Sequence, residues 1–230
     1  VGVDMNNSSW NGSYHVFSSD TIFMNFDNSI IYSSTSGGIT AWVNQLQLHS
    51  VESSFLNNTS HGISVNGDLN WVSIGDVIAG NGGDGIRADG GVIDFDYARI
   101  DGNGSHGVDL ENTGTLNMDN CRLLNNGGQG IQSGSPTTLN HCNLAFNGGT
   151  GLVLTGNNFH TLNNSVLWGN NETNYTQIDI GGGVISTSYS TVQGQSGYGV
   201  TGSGQFYWGE GVIEADPLFA DDDLHLNTYS

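Results

Sequence analysis

Positive charge is scarce in this chain, which contains no lysine and only three arginines against 22 acidic residues. The formal net charge is therefore −19 at pH 7. Such a charge repels nucleic acid, anionic membranes and acidic polysaccharides, so the sequence excludes these partners unless cations bridge the contact. Apolar runs are too short for a membrane helix, and we predict no membrane insertion in this segment.

Proline and cysteine are also rare, with two residues each, and two cysteines say little about the redox compartment. No signal peptide precedes the polar sequence that begins at Val1, so we expect a mature or trimmed product. Apolar residues make up 36% of the chain, and they are too numerous and too regularly placed for disorder. We therefore expect a soluble protein that is extracellular or displayed on a cell surface.

Glycine is abundant, with 36 residues, and much of it recurs at a regular interval. A Gly followed by Ile, Val or Leu returns about every 23 residues, at Gly38, Gly62, Gly85, Gly107, Gly130, Gly151 and, after a double interval, Gly199. Repetition with this period is typical of a solenoid, in which each repeat buries its apolar side only against its neighbours.

Alignment of the repeats on this glycine reveals columns of similar residues. An apolar residue stands seven positions before the glycine, as at Phe55 and Ile78, and buried and exposed positions alternate after it, as in Ile86, Arg87 and Ala88. Alternation with period 2 indicates short strands with one buried face. A third short strand is predicted near Leu69/Val72, Val92/Phe95, Leu116/Met118 and Leu139. Three short strands per repeat, joined by turns too tight for helices, predict a parallel β-helix.

Asparagine occupies the position four residues before the glycine in five consecutive repeats: Asn58, Asn81, Asn103, Asn126 and Asn147. We interpret this column as an inward structural ladder and not as a sugar site, because Asn tolerates the left-handed conformation and satisfies turn groups. The repeated glycine is expected to supply a positive φ or close backbone packing at a corner.

The chain divides into three parts of one continuous domain. We assign residues 1–37 to an N-terminal cap and first coils, residues 38–204 to the repeats, and residues 205–230 to a closing segment. The first part is rich in aromatic residues without clean periodicity, as expected for a terminal repeat of a solenoid.

The C-terminal part carries the most specific signature. Residues 188–194 (SYSTVQG) precede residues 211–219 (GVIEADPLF) and then residues 223–226 (DLHL). Together with the Asn, Asn-Gly and Gly-Ile pattern, this resembles bacterial secreted and cell-surface right-handed parallel β-helix repeat proteins, common in Bacteroidetes and related bacteria. The resemblance covers roughly residues 38–226. It implies an all-β, single-stranded right-handed β-helix of about 8–10 coils and an extracellular address; the group is functionally mixed, so it implies no single activity.

Cys121 and Cys142 both stand nine residues before their glycine, one coil apart. At a coil spacing of about 4.8 Å they fit a disulfide, and they equally fit a stack of two buried thiols. Their neighbours in the column are expected to be Ala98 and Val77, which are small and apolar. No His or Cys pair completes a zinc set with them.

Acids and arginines form two partial columns that are candidates for a catalytic groove. Asp96 and Asp119 share one column and Arg99 and Arg122 another, and we expect all four to point outward on the same sheet. Two carboxylates at coil spacing resemble the separation found in retaining glycosidases. The alternative is a solvated face on which Arg–Asp pairs contribute little.

Ca²⁺ is the only cofactor that the sequence suggests. Four acids cluster at the end of the solenoid: Asp216, Asp221, Asp222 and Asp223. Oxygen ligands at short spacing suit Ca²⁺, and the stack of Asp89 above Glu111 also points to a cation. Solvated surface acids are the alternative for both groups.

Exposed aromatic side chains could hold sugars by stacking against their apolar faces. We place five of them outward or in loops of the C-terminal half: Trp168, Tyr175, Tyr198, Tyr207 and Trp208. They predict a glycan-contact region, with packing over the corners of the coils as the alternative.

These observations favour a β-helix domain with a structural, adhesive or glycan-engaging role, and with glycans or another copy bound end to end as partners. The alternative is a carbohydrate-active enzyme, a polysaccharide hydrolase or lyase, with a groove on one sheet. The β-helix lyases use Lys or Arg as a base and the pectin hydrolases carry Gly-His-Gly and Arg-Ile-Lys motifs, whereas this chain has no Lys and neither tripeptide. His61 and His106 are interpreted as turn residues, and we lean towards a protein that is not an enzyme.

Overall fold

The computed structural model of the protein describes residues 2–18, 20–112 and 114–219. Within these ranges the chain forms strands and turns, and it winds through about nine turns of a parallel solenoid. The prediction of an all-β parallel β-helix is therefore confirmed. None of the described residues belongs to a helix that could cross a membrane.

Strands of two to thirteen residues make up the coils. In chain order they are β1 (Gly2–Asn6), β2 (Ser9–Asn11), β3 (Tyr14–Phe17), β4 (Thr21–Asp27), β5 (Ile30–Tyr32), β6 (Ile39–Val51), β7 (Ser54–Leu56), β8 (Ile63–Ile74), β9 (Val77–Ala79), β10 (Ile86–Asp96), β11 (Arg99–Asp101), β12 (Val108–Leu110), β13 (Gly114–Asp119), β14 (Arg122–Leu124), β15 (Ile131–Ser133), β16 (Thr137–Asn140), β17 (Asn143–Ala145), β18 (Leu152–Leu154), β19 (Phe159–Asn163), β20 (Val166–Trp168), β21 (Ile178–Ile180), β22 (Val184–Ser188), β23 (Thr191–Val192), β24 (Val200–Gly202) and β25 (Gln205–Trp208).

The strands pair in parallel to form two sheets. The short sheet contains β2, β5, β7, β9, β11, β14, β17, β20 and β23. The long sheet contains two stacks. The glycine stack consists of β3, β12, β15, β18, β21, β24 and the first halves of β6, β8 and β10, and it follows the repeated glycines. The third stack consists of β1, β4, β13, β16, β19, β22, β25 and the second halves of β6, β8 and β10.

The core of the short sheet is the apolar column predicted seven residues before the glycine. Each strand after β2 contributes one inward residue, and these eight residues have no exposed surface: Ile31, Phe55, Ile78, Ile100, Leu123, Leu144, Leu167 and Val192. They lie opposite one another in the parallel pairing, so each buries its side chain against the coils before and after it.

The third stack lies where the third short strand was predicted, and the structure shows which of its residues face inward. Trp71 and Ile93 are fully buried, whereas Val72 and Val92 are 45% and 43% exposed. Strict alternation along a strand makes Ile93, and not Val92, share the inward face with Phe95. The rings of Trp71 and Phe95 pack edge to face with centroids 4.7 Å apart, so the larger side chains fill the core.

The predicted asparagines form a continuous ladder inside the solenoid. Each Nδ2 donates to the Oδ1 of the next asparagine at 2.8 or 2.9 Å, in the order Asn58, Asn81, Asn103, Asn126, Asn147 and Asn170. The same oxygens accept backbone N–H groups of the preceding coil. The ladder begins at the Ser34 N–H and ends on Gln177 Oε1, which accepts from Asn170 Nδ2 at 2.6 Å.

The repeated glycines are required by close packing and not by a positive φ. A Cβ on Gly107 would lie 2.5 Å from the carbonyl oxygen of Gly130 and 3.1 Å from Nδ2 of Asn126, and similar contacts recur along the column. The left-handed residues lie earlier in the coil, directly before the asparagine ladder, as at Asn57 (φ 54°) and Asn125 (φ 55°). Glycine therefore lets each coil approach the next at this corner.

Cys121 and Cys142 lie in a second interior column. Both side chains are buried, and neither forms a disulfide. The neighbouring Cys142 thiol, together with burial, raises the pKa of Cys121. The geometry is that of the buried thiol stack.

The same column holds Asp76 where Val77 was predicted. Val77 lies one residue further on and occupies an outer position of β9. Asp76 is fully buried and accepts hydrogen bonds from the Ser50 hydroxyl, from the Ser73 hydroxyl at 2.6 Å and from the Ser53 N–H at 2.7 Å. Burial raises the pKa of this carboxyl group, and the three hydrogen bonds oppose the rise.

Candidate functional site

Two adjoining grooves lie on the outer face of the third stack. The first has a volume of about 500 Å³ and the second of about 490 Å³, and they share Val72 and Asp94. We call this surface the groove face, and its outward residues are Asp4, Phe23, Asn25, Gln47, His49, Asn70, Val72, Ile74, Val92, Asp94, Asp96, Asn117, Asp119, Thr138 and Asn140. The parallel pairing aligns these residues in columns that run along the solenoid axis.

Amide and carboxylate side chains of successive coils are hydrogen-bonded along the groove face. Asn117 Nδ2 donates to Asp94 Oδ1 at 2.7 Å, and Asn140 Nδ2 donates to Asp119 Oδ1 at 3.1 Å. Nδ1 of His141 lies 3.1 Å from the same Asp119 oxygen. These contacts leave the second oxygen of each carboxylate to accept hydrogen bonds from a ligand.

Apolar side chains are interleaved with these polar groups. Val72 and Val92 lie on the groove face for the reason given above, and Phe23 is 59% exposed at its N-terminal end. A concave surface that combines apolar side chains with a few placed polar groups is typical of a small-molecule or polymer binding site.

The groove face contains only half of the predicted catalytic set. Asp96 and Asp119 lie opposite each other on β10 and β13. Arg99 and Arg122 also lie opposite each other, but on β11 and β14 of the short sheet, so the expectation of one shared sheet was wrong. The chain turns a corner between the two columns at a single left-handed residue, Tyr97 (φ 57°) in one coil.

Arg99 is engaged on its own sheet. Its Nε and Nη2 donate to Asp101 Oδ2 at 3.1 and 2.6 Å. The arginines therefore do not surround the groove, and the carboxylates Asp96 and Asp119 face it with amide and imidazole neighbours.

A comparison with protein families decides the classification of this fold. The model of the right-handed beta helix region matches residues 47–201. The chain belongs to the right-handed β-helix family. No curated protein and no solved structure shows significant similarity to this β-helix.

The acidic residues that were predicted to bind a cation make different contacts in the β-helix. Glu111 accepts a hydrogen bond from Arg87 Nη2 at 2.7 Å, so its carboxylate is paired with a cation of the chain rather than only stacked on Asp89. Asp216 Oδ1 accepts the Leu218 N–H at 2.8 Å, while Asp221, Asp222 and Asp223 lie outside the described residues. Among residues 2–18, 20–112 and 114–219, no three His, Cys, Asp or Glu side chains are grouped closely enough to hold a metal ion.

The five predicted glycan-contact aromatics of the β-helix lie in separate places. Trp168 is on the short sheet, in a small pocket with Phe146 and the closing segment. Tyr175 and Tyr198 pack edge to face in loops, with centroids 6.5 Å apart. Tyr207 and Trp208 lie on β25 in the last coil. They do not form one continuous surface.

One corner of the β-helix, where two histidines were interpreted as turn residues, contains a hydrogen-bonded set of side chains. In four successive coils the residues that directly precede the repeated glycine are His61, Asp84, His106 and Gln129. The Asp84 N–H donates to His61 Nδ1 at 3.0 Å, and the His106 N–H donates to Asp84 Oδ1 at 2.8 Å. Asp84 Oδ2 also lies 3.1 Å from His61 Nδ1, which can donate to it only when that nitrogen carries a proton.

Two carboxyl groups at this corner have pKa values shifted in opposite directions. Burial raises the pKa of Asp84, but hydrogen bonds with His61, Ser105 and the His106 N–H outweigh it and lower the pKa to about 2. Burial, and then the nearby charge of Asp84, raises the pKa of Asp109. Opposed shifts are a feature of acid–base sites, but they also arise in structural networks. The column mixes His, Asp and Gln, so no single residue type marks it in the sequence.

The lowered pKa of Asp84 predicts a specific acid sensitivity. Its interactions stabilise the fold fully above the ordinary Asp pKa of about 3.9, and this stability is lost as the pH falls through about 2. We expect Asp84→Asn to lower the free energy of unfolding by about 2 kcal/mol at pH 6 and to have only a small effect at pH 2. Urea unfolding of both proteins from pH 2 to 6 measures the difference, and a difference independent of pH would contradict the assignment.

Proposed function

We propose that this β-helix is an extracellular carbohydrate-binding domain of a bacterial secreted or surface protein, and that the groove face binds a glycan chain. The observation that carries the proposal is the presence of two hydrogen-bonded carboxylate–amide pairs, Asp94 with Asn117 and Asp119 with Asn140, beside exposed apolar side chains in two adjoining grooves. The polar groups suit sugar hydroxyls, and Val72 and Val92 suit the apolar faces of sugar rings.

The shape of the groove face supports a polymer rather than a single small molecule. Outward positions recur along the axis at the coil spacing of about 4.8 Å, so an extended glycan chain would contact side chains of several successive coils. The charge supports a glycan without acidic groups, because Asp94, Asp96 and Asp119 line the surface and Arg87 and Arg99 are paired elsewhere.

Binding of soluble neutral polysaccharides by the parent protein and a groove variant tests the proposal. The double variant Asp94→Ala/Asn117→Ala removes one carboxylate–amide pair from the groove face, and we expect its affinity for the polysaccharide to fall by about tenfold or more. Asn143→Ala, on the outer face of the short sheet, is the matched control and should bind like the parent. Isothermal titration calorimetry measures the affinities. Equal binding by the double variant, or absence of binding across a broad glycan panel, would contradict the proposal.

A second candidate function is polysaccharide hydrolysis in the same groove. It is favoured by Asp96 and Asp119 on neighbouring strands of the groove face, because their coil spacing of about 4.8 Å approaches the carboxyl separation of retaining glycosidases. His141 and Asn140, both bonded to Asp119, would hold that carboxylate in place. Release of reducing ends by the parent, lost in Asp119→Asn, would support it. Binding without any product release would leave the carbohydrate-binding function alone.

A further inference from the structure

The interior of the solenoid changes in character along the axis. In the earlier coils the buried hydroxyl groups of Ser50 and Ser73 bond to Asp76, whereas a later section buries further hydroxyl groups and an imidazole away from any carboxylate. These polar residues are all at most 1% exposed: Ser133, Ser135, Thr137, His160 and Thr187. Burial of polar groups is costly unless each is hydrogen-bonded, so every one of them needs a partner.

The hydroxyl groups below His160 bond to one another. Thr137 Oγ1 lies 3.1 Å from Ser133 Oγ and 3.0 Å from the Ser135 carbonyl, and Ser133 Oγ lies 3.1 Å from the same carbonyl. The Ser135 N–H donates to Ser133 Oγ as well. This local cluster engages its own donors and offers none to the next coil.

His160 has no protein partner within the described part of the chain. Neither Nδ1 nor Nε2 forms a hydrogen bond, although a neutral imidazole has one donor and one acceptor. The pairing of Thr138 with Thr161 places Thr137 on one side of His160, and Ile185 is its partner on the other. The hydroxyl of Thr187, two residues beyond Ile185, is likewise without a partner.

The surroundings of His160 favour the neutral ring. On β15, β16, β18, β21 and β22, none of the inward-facing side chains is charged or titratable. Burial lowers the pKa of His160, and the Gly156 carbonyl opposes this from a position that gives no well-formed hydrogen bond. A neutral ring in this position needs both a donor and an acceptor from outside the protein.

We propose that the solenoid interior around His160 is a binding site for ordered water, which supplies the donor and the acceptor that the ring nitrogens lack. Water is the ligand whose chemistry suits the ring, because a buried water molecule typically makes two to four hydrogen bonds and can both donate and accept. The same water network can extend to the hydroxyl groups of Thr137 and Thr187. The site is independent of the groove face and of its proposed glycan.

Water–protein NOE spectroscopy of the full chain tests this site directly. We expect cross-peaks from long-lived water to the ring protons of His160 at pH 7.5. His160→Gln keeps a donor and an acceptor, so it should retain bound water, whereas His160→Leu should lose it. If His160→Leu fails to fold, the parent and His160→Gln spectra decide. A parent spectrum without water cross-peaks at the ring would overturn the proposal.

The acid response provides a second readout. Because the pKa of His160 in the folded protein lies below the ordinary His value of about 6.5, its contribution to stability is complete above pH 6.5 and decreases as the pH falls below it. Relative to His160→Gln, the unfolding equilibrium constant of the parent should rise by up to tenfold per pH unit below about 6.5. The same pH profile for both proteins would show that the ring is not held neutral in the interior, and would overturn the assignment.

Discussion

Replacing Asn103 with alanine is expected to lower the free energy of unfolding by about 3 to 6 kcal/mol. The substitution removes the acceptor of the Asn81 N–H and of Asn81 Nδ2, and the donor to the Ile78 carbonyl. These three groups would remain in an interior where the ladder side chains are about 1% exposed. A buried polar group without a partner costs about 1 to 3 kcal/mol, and a loss of this size is a large part of the stability of most domains.

Urea unfolding of the parent, Asn103→Ala and Asn66→Ala measures this effect. Asn66 is exposed on β8, so its replacement should change stability by no more than about 0.5 kcal/mol. A loss below about 1 kcal/mol in Asn103→Ala would mean that water or side-chain movement satisfies the freed groups. The ladder would then not be a principal source of stability.

Gly107→Ala is expected to destabilise the fold by about 3 kcal/mol, because it forces neighbouring coils apart. The new Cβ would lie 2.5 Å from the Gly130 carbonyl oxygen, which itself accepts the Val108 N–H at 3.1 Å. The clash is with backbone, so no side-chain rotation relieves it. The strain also reaches Asn126 in the ladder, whose Nδ2 would be 3.1 Å away.

Thermal unfolding distinguishes close packing from a general cost of replacing glycine. Gly197→Ala is the matched control, because a Cβ there meets no atom within 4 Å and its φ is not in the left-handed region. The control should unfold at the parental temperature or slightly above it. We expect Gly107→Ala to unfold roughly 10 °C lower, from about 2 to 4 °C per kcal/mol for a chain of this size. Equal melting temperatures for the two variants would contradict the packing argument.

The sequence predicted the features that repeat in both residue type and spacing. The asparagine ladder and the apolar column of the short sheet have these properties, because each coil imposes the same requirement at the same position. The third stack was harder to place because its distance from the repeated glycine varies with the intervening corner. Because of this variation, the sequence did not show which residues of the third stack face inward. In the structure Trp71 and Ile93 are buried, and Val72 and Val92 are exposed.

The candidate site was predicted only in part, because only some of its residues repeat at a constant spacing. The register of Asp96 on Asp119 follows from the repeat, but the corner that separates them from Arg99 and Arg122 depends on one left-handed residue. In one coil that residue is Tyr97, a residue type that does not mark such a corner. The sequence does not show that His61, Asp84 and His106 interact, because the residue type at this position changes from coil to coil and only the folded structure brings the three into hydrogen-bonding contact.

The direction of the asparagine ladder has a consequence for how this molecule can change its length. Every rung donates its amide to the following rung and accepts from the one before, so one more 23-residue unit such as a copy of residues 104–126 would meet the same chemistry on both sides. Whole units can therefore be gained or lost by tandem duplication and deletion of gene segments, whereas partial ones cannot. Because the columns of the third stack share this register, each added unit would lengthen the groove face by about 4.8 Å, and with it the surface that we propose binds a glycan.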